Sequence, residues 1–242
     1  LIGSSFINSY KNSKNILINL DLKHSKLNKK KNLKNIDFDC EELENVEKKL
    51  IEIFKSHGEP DILINTSYPI TKNWKENTFE KVDYTNFKDN INIHLNSYCW
   101  IAKIFADRMK KKKIKGKIVL LSSIYGVVGQ TFNNYKGTKM NINFTYPIIK
   151  SGIIGFVKQA ASFYGKHQIT VNALCPGSIL GHVKGAKKNQ PTKFIKNFSN
   201  NVPLKRLAKV NEISSVINFL ISENSSYITG HSLVVDGGYT VI

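Results

Sequence analysis

Short apolar runs alternate along the chain with longer stretches of helical period. "NILINLDL" (15–22) is an apolar run closed by an acid, and "DILINTS" (61–67), "GKIVLLSS" (116–123), "ITVNALCPG" (169–177) and "HSLVVDGG" (231–238) repeat the design. Continuous apolar strands of this kind suit a parallel sheet covered on both faces. Between them lie amphipathic patterns over 40–58, 84–112, 151–166 and 211–223. Strict alternation of the two types predicts an α/β fold, a Rossmann-type doubly wound sheet in three α/β/α layers. No internal repeat and no linker interrupts it, so a single domain over 1–242 accounts for the chain. The least regular stretch, 178–209, is expected to serve as a substrate lid or binding loop.

The opening "LIGSSFINSYKNSKN" runs into a helix with no strand before it. A glycine, a helix, a strand and a terminal acid form the back half of a dinucleotide-binding βαβ unit. Ile2 and Gly3 then close the phosphate loop, and the first strand and earlier glycines are expected upstream of Leu1, about a dozen residues. Asp21 stands eighteen residues after Gly3. A carboxylate there accepts both ribose hydroxyls and repels a 2′-phosphate, which favours NAD over NADP, with Lys23 and Lys26 softening the preference.

Composition adds a large positive charge. Lys and Arg total 36 against 18 acids, a formal charge of +18. Such charge can serve an anionic partner. Here the lysines are scattered, with short clusters at 28–34 and 110–117 and no aromatics interleaved as stacking platforms. The pattern matches general enrichment in lysine, asparagine and isoleucine, and no nucleic-acid partner is expected. No apolar run is long enough to span a bilayer and no signal-peptide pattern opens the chain, so a cytoplasmic protein is the expectation. Cys40, Cys99 and Cys175 lack metal-ligand spacing and read as free thiols; no metal is expected.

Chemistry is suggested by "NNYKGTKMNINFTYPIIKSG" (133–152), which holds Tyr-x-x-x-Lys twice, at Tyr135/Lys139 and Tyr146/Lys150. One helical turn would put each pair on a common face. Gly137 weakens a helix through the first pair. Pro147 is tolerated in the second only if the helix opens at about Tyr146. Ser151-Gly152 would then let that helix pack closely against a neighbour.

In order along the chain, "DFDCEE", "DILINTSYP", "GKIVLLSSIYG", "VNALCPGSI", "VPLKRLAKVNEIS" and "ITGHSLVVDGG" resemble the motifs of the short-chain dehydrogenase/reductase family. "SYPITKNW", "NNYKGTKMN" and "YPIIKSGII" more narrowly resemble its flagellin-modification protein A branch, assigned to sugar pathways feeding surface glycans. The resemblance implies that Tyr146 is the general acid/base, that Lys150 lowers its pKa and binds the nicotinamide ribose, and that Ser123 bonds the substrate oxygen. Pro176 follows Lys150 by twenty-six residues, as a full helix and loop require, which selects Tyr146/Lys150 over Tyr135/Lys139. An insertion between Ser123 and Tyr146 is then expected, with Tyr135/Lys139 part of it over the site mouth.

Further cofactor contacts implied are Asp39 and Cys40 beside the adenine, Asn65, and Pro176, Gly177 and Ile179 under the nicotinamide. His94 stands where the family carries an asparagine, and Gly181 where a threonine is common. His94 fits either a core histidine bonded to backbone or a residue holding a proton-relay water to Lys150, pH-sensitive near neutrality. Tyr68, Trp74, Tyr125, Tyr135 and the loop from Ser178 to Lys188 are candidate substrate contacts, aromatic faces for a sugar ring and lysines for a phosphate. The implied activity is alcohol–ketone interconversion on a sugar or nucleotide-sugar derivative. Alternatives are a sugar-nucleotide epimerase or dehydratase and a non-catalytic binding protein of the same fold. A homodimer or homotetramer built on the helix bearing Tyr146 is also implied, and the apolar face of 153–163 suits it.

Overall fold

The computed structural model describes residues 1–12, 14–22, 27, 30–181 and 190–242. Every strand pairing in it is parallel. β1 (Leu17–Asp21) pairs with β2 (Leu33–Asp37), while β3 (Ile62–Asn65), β4 (Lys117–Leu121), β5 (Thr170–Pro176) and β6 (Ser232–Val235) form the order β3-β4-β5-β6. β1 and β3 share no ladder, and both border one large cavity. Leu17, Ile18, Leu20, Ile62 and Ile64 are accordingly only half-buried.

Side chains on adjacent positions of a strand point to opposite faces, and this divides the core in two. Ile118 and Leu120 of β4, with Val171, Ala173 and Cys175 of β5, join α2 (Leu43–His57), α4 (Ser97–Lys112) and α5 (Thr145–Tyr164) on one side. Val119 and Leu174 face α1 (Ile2–Ser9) and α7 (Val210–Leu220) on the other, through Phe6, Ile213, Ile217 and Leu220. The three-layer α/β/α order is thus the direct result of period-two burial in continuous apolar strands.

Three expectations change. β2 falls in "LKNID" (33–37), which the lysine cluster at 28–34 disguised; its mostly exposed pattern is that of an edge strand. The helical pattern over 84–112 is interrupted: α3 (Tyr84–Asn90) passes into a π-helical turn, Ile91–Asn96, before α4. Within 178–209, α6 (Thr192–Asn200) forms and Ile179 bridges Ala208 in parallel, so regular structure stands where an irregular loop was expected. Residues 182–189 of the expected lid lie outside the described residues, as do Lys23 and Lys26.

Close approach at two glycines sets α5. A Cβ on Gly152 would lie 2.7 Å from a Leu95 methyl in the π turn. One on Gly126 would lie 2.8 Å from the backbone carbonyl of Lys150 and from Ser122 Oγ. Gly155, on the exposed side of α5, has nothing within 4 Å of such an atom. Gly126→Ala is expected to destabilise the fold by about 1–3 kcal/mol, because backbone must move. Gly155→Ala is expected to be neutral or stabilising by about 0.5–1 kcal/mol. Urea unfolding followed by circular dichroism checks both; equal effects would refute the packing assignment.

Candidate active site

The cavity has a volume of about 1480 Å³ and runs from the C-terminal ends of the strands past α1. At one end Ile2 and Gly3 open α1, whose first turn carries no side-chain cap. Uncapped backbone N–H groups at a helix N-terminus suit an anion such as phosphate. Gly3 is constrained besides: a Cβ there would sit 2.6 Å from Thr66 Oγ1 in the loop after β3. Asp21 lies exposed at the end of β1 and lines the same cavity, as do Asp39 and Cys40. Burial and the neighbouring acids push the Cys40 thiol up to about 11, so it stays protonated.

Midway, Asn65 ends β3 and bends the chain. Its Oδ1 accepts from the Ser67 amide at 3.1 Å and the Ser67 hydroxyl at 2.7 Å. Pro176, Gly177, Ser178 and Ile179 line the cavity opposite. Gly177 is required there, since a Cβ would meet the Asp236 Cα at 2.9 Å. Gly181 also lines the cavity with φ +119°, a left-handed region in which a threonine would be strained.

At the far end stand Ser123, Tyr146 and Lys150. Ser123 follows β4, and its Oγ accepts from the Tyr125 amide at 3.2 Å. Helix α5 begins at Thr145, so Tyr146 and Lys150 lie one turn apart on it, with Pro147 in the first turn. The start is pinned: the Tyr146 amide donates to Asn143 Oδ1 at 2.7 Å, and Thr145 Oγ1 donates to Asn77 Oδ1 at 2.6 Å. Tyr135 and Lys139 lie instead in turns and bends, with Gly137 at φ +68°. No helical turn relates them.

Burial dominates the electrostatics. It pushes the Tyr146 phenol up to about 12, against a lowering hydrogen bond with Ser123. Lys150 is 1% exposed, and loss of hydration brings its amine down to about 7. Nζ donates to the Leu121 carbonyl at 3.0 Å and lies 3.2 Å from His94 Nε2. It also sits over the rings of Tyr98 (5.1 Å), Tyr146 (5.6 Å) and Tyr68 (5.9 Å). His94 itself is fully buried and does not line the cavity. Burial and Lys150 hold its pKa well below the usual histidine value, which removes the pH sensitivity near neutrality expected from the sequence.

The aromatic candidates divide. Tyr68 and Tyr125 line the cavity, whereas Trp74 and Tyr135 do not. Trp74 packs edge-on against Tyr68 and Tyr146, at 5.9 and 6.2 Å between ring centroids. The Tyr135 hydroxyl accepts from Gln130 Nε2 at 2.9 Å and lies 3.4 Å from that of Tyr125. Buried Asn134 donates to both Tyr125 and Tyr239 hydroxyls, at 3.2 and 2.9 Å. The sequence did not mark this polar knot, nor the bond that Ser122 Oγ donates to the Lys150 carbonyl at 2.9 Å. "SS" before Ile124 was the available signal for Ser122; nothing local marked Asn134.

Comparison with known proteins places this geometry in context. A family model described as enoyl-(acyl carrier protein) reductase matches residues 16–240. The chain is 30% identical over 210 residues to post-translational flagellin modification protein A of Campylobacter coli, covering 87% of this chain and 79% of that one. It is 33% identical over 211 residues to a 3-oxoacyl-(acyl-carrier-protein) reductase of Buchnera aphidicola subsp. Acyrthosiphon pisum, covering 87% and 76%. Among solved structures, a short chain dehydrogenase from Leptospira borgpetersenii with bound NAD+ superposes with a TM-score of 0.86 at 28% identity, covering 99% and 88%. By sequence match over most of its length and by fold, the chain belongs to the short-chain dehydrogenase/reductase family and is an NAD(P)-dependent oxidoreductase.

Proposed function

We propose that the chain interconverts an alcohol and a ketone on a sugar or nucleotide-sugar derivative, with NAD, through Ser123, Tyr146 and Lys150. The carrying observation is that those three side chains line a single cavity whose other lining includes the residues expected to hold the cofactor. The cavity and its donor set fit a dinucleotide: an uncapped helix start at Ile2 and Gly3, carboxylates at Asp21 and Asp39, an amide at Asn65 and the tight Pro176-Gly177 turn. When bound, the nicotinamide supplies the hydride acceptor or donor.

The chain's own residues handle the proton. Ser123 Oγ orients the substrate oxygen toward the Tyr146 phenol, which lines the same cavity. In reduction, the phenol gives its proton to the carbonyl oxygen; in oxidation, the phenolate takes the proton of the alcohol. Burial keeps the phenol protonated at neutral pH in the chain as it stands, the state required of an acid in carbonyl reduction. A protonated Lys150 favours the phenolate by simple attraction, so the oxidative direction draws on Lys150 more heavily. Tyr68 and Tyr125 offer ring faces to a sugar at the cavity wall, beside Ser178, Ile179, Gly181 and Gln190 of the segment proposed as the substrate loop. The likeness to the Campylobacter coli flagellin-modification protein supports a sugar substrate.

A second substrate reading has its own support. Several relatives at 30–33% identity are 3-oxoacyl-(acyl-carrier-protein) reductases, which makes a 3-oxoacyl thioester the competing ketone. Initial rates with nucleotide sugars, sugar phosphates and 3-oxoacyl thioesters, followed by NADH absorbance, separate the two. Turnover confined to thioesters would overturn the sugar reading.

Two outcomes follow. Tyr146→Phe is expected to lower kcat by about 10²–10⁴-fold, the usual worth of a positioned acid/base, with the fold unchanged by circular dichroism. Full hydride transfer by that variant would contradict the assignment. Asp21→Ala is expected to weaken NADH binding about tenfold by fluorescence titration, and to improve NADPH relative to NADH, because hydrogen bonds to a carboxylate are worth about 1.5–3 kcal/mol. An unchanged ratio would remove Asp21 from cofactor choice.

A further inference from the structure

His94 occupies a π-helical turn, Ile91–Asn96. Such turns break the regular α-helical bond pattern and recur at functional sites. The imidazole is 0% exposed, wedged against Tyr68 and Tyr98 with ring centroids at 5.3 Å from each. Nε2 is 3.2 Å from Lys150 Nζ, and Nδ1 is buried with no hydrogen-bond partner among the described residues. The π turn holds this contact because Gly152 of α5 packs onto Leu95, the residue after His94.

Hydrogen-bond counting fixes the rest. A lysine nitrogen has only donors when charged and gains one lone pair when neutral. Against the charged amine, which has only donors, Nε2 of a neutral imidazole must accept, and the ring proton is then on Nδ1. Lys150 also donates to the Leu121 carbonyl at 3.0 Å. Two of the positions on Nζ that remain after its bond to carbon are thereby committed. The third alone is left to differ between ammonium and amine, and Lys150 lines the cavity.

We propose that His94 is a positioning residue: its neutral imidazole, protonated on Nδ1, accepts from Lys150 and, with the Leu121 carbonyl, confines proton gain and loss at Nζ to the one position open to the cavity. This rests on the reading of Ser123, Tyr146 and Lys150 as the reacting set. It differs from a water relay in that the histidine bonds the amine directly and carries no proton itself. The unpartnered Nδ1–H is the cost of that arrangement, and a carboxamide at this position would accept from the same amine with a different second group.

The other ionisable groups facing Nζ are Tyr68 from the loop after β3, Tyr98 from α4, Tyr146 from α5 and Cys175 from β5. An acceptor bonded to the ammonium favours the charged form, so its removal lowers the pKa of Lys150 further. The proposal is tested first on the wild-type chain by 15N NMR of histidine-labelled protein. The expected result is a neutral His94 with Nδ1 protonated from about pH 6 to about pH 8. Then His94→Leu and His94→Asn are compared. His94→Leu is expected to lower kcat about 10–100-fold with KM for the cofactor within about twofold, and to move the Lys150 limb of the kcat–pH profile to lower pH. His94→Asn, which keeps an acceptor, is expected to return kcat to within about fivefold of wild type and the limb toward its position.

A proton on Nε2 of His94, or a His94→Leu variant with wild-type kcat and pH limb, would overturn the proposal. If His94→Leu fails to fold, the tautomer and the His94→Asn profile still decide it. Wild-type protein that turns over no alcohol or ketone contradicts the proposed function instead, while the tautomer, read without substrate, still settles the role of His94.

Discussion

An aliphatic amine that is 1% exposed must either lose its charge or be surrounded by groups that tolerate it, and the fold around Lys150 is arranged by that requirement. The surroundings supply the Leu121 carbonyl as an acceptor and His94 Nε2 at 3.2 Å, together with three aromatic faces. Each comes from a different element: the end of β4, the π turn and α4, the loop after β3, and α5 itself. The contacts therefore fix the relative placement of strand end and helix as well as the amine. Ser122 adds a bond from the strand end back to the Lys150 carbonyl, and Gly126 and Gly152 allow the backbone approach that these bonds need.

The same constraint orders the cavity. Tyr146 shares the helix with Lys150, so its hydroxyl is carried to Ser123 by helical geometry once Asn143 and Asn77 hold the first turn. The connection between Ser123 and Tyr146 does not loosen this arrangement, because its own polar groups are tied down: Gln130 holds Tyr135 and the Asn143 amide, and Asn134 joins Tyr125 to Tyr239. A long connection thus becomes a wall of the site. One buried amine, the groups packed on it and a helix start held by Asn143 and Asn77 bring Tyr146, Ser123 and the cavity into register.

Much of this was legible in the residues. Continuous apolar strands with period-two burial made the three-layer sheet readable, and Pro147 with Ser151-Gly152 located the start and packing of α5. The sequence left out what arises only from three-dimensional competition. β2 was hidden because an edge strand needs few apolar residues and this one adjoins a lysine cluster. The π turn at Ile91–Asn96 was invisible because a single extra residue leaves the helical period almost intact. Of the aromatic candidates, Trp74 and Tyr135 satisfy their rings and hydroxyl against neighbouring side chains, a fact that composition and spacing do not encode. His94 was marked by its position, but its lowered pKa follows from burial beside Lys150.

Burial of Lys150 also has a thermodynamic sign. With its folded pKa brought down to about 7 from 10.5, the unfolded chain binds more protons between those values. Folding therefore gains from this group as pH rises through that window, and the penalty is complete below about pH 7. The most direct measurement is a titration of the Lys150 side chain itself by NMR on lysine-labelled protein, assigned with Lys150→Met. A midpoint near 7 is the predicted result. A midpoint at the ordinary lysine value, about 10.4, would mean the amine is hydrated and would contradict the account.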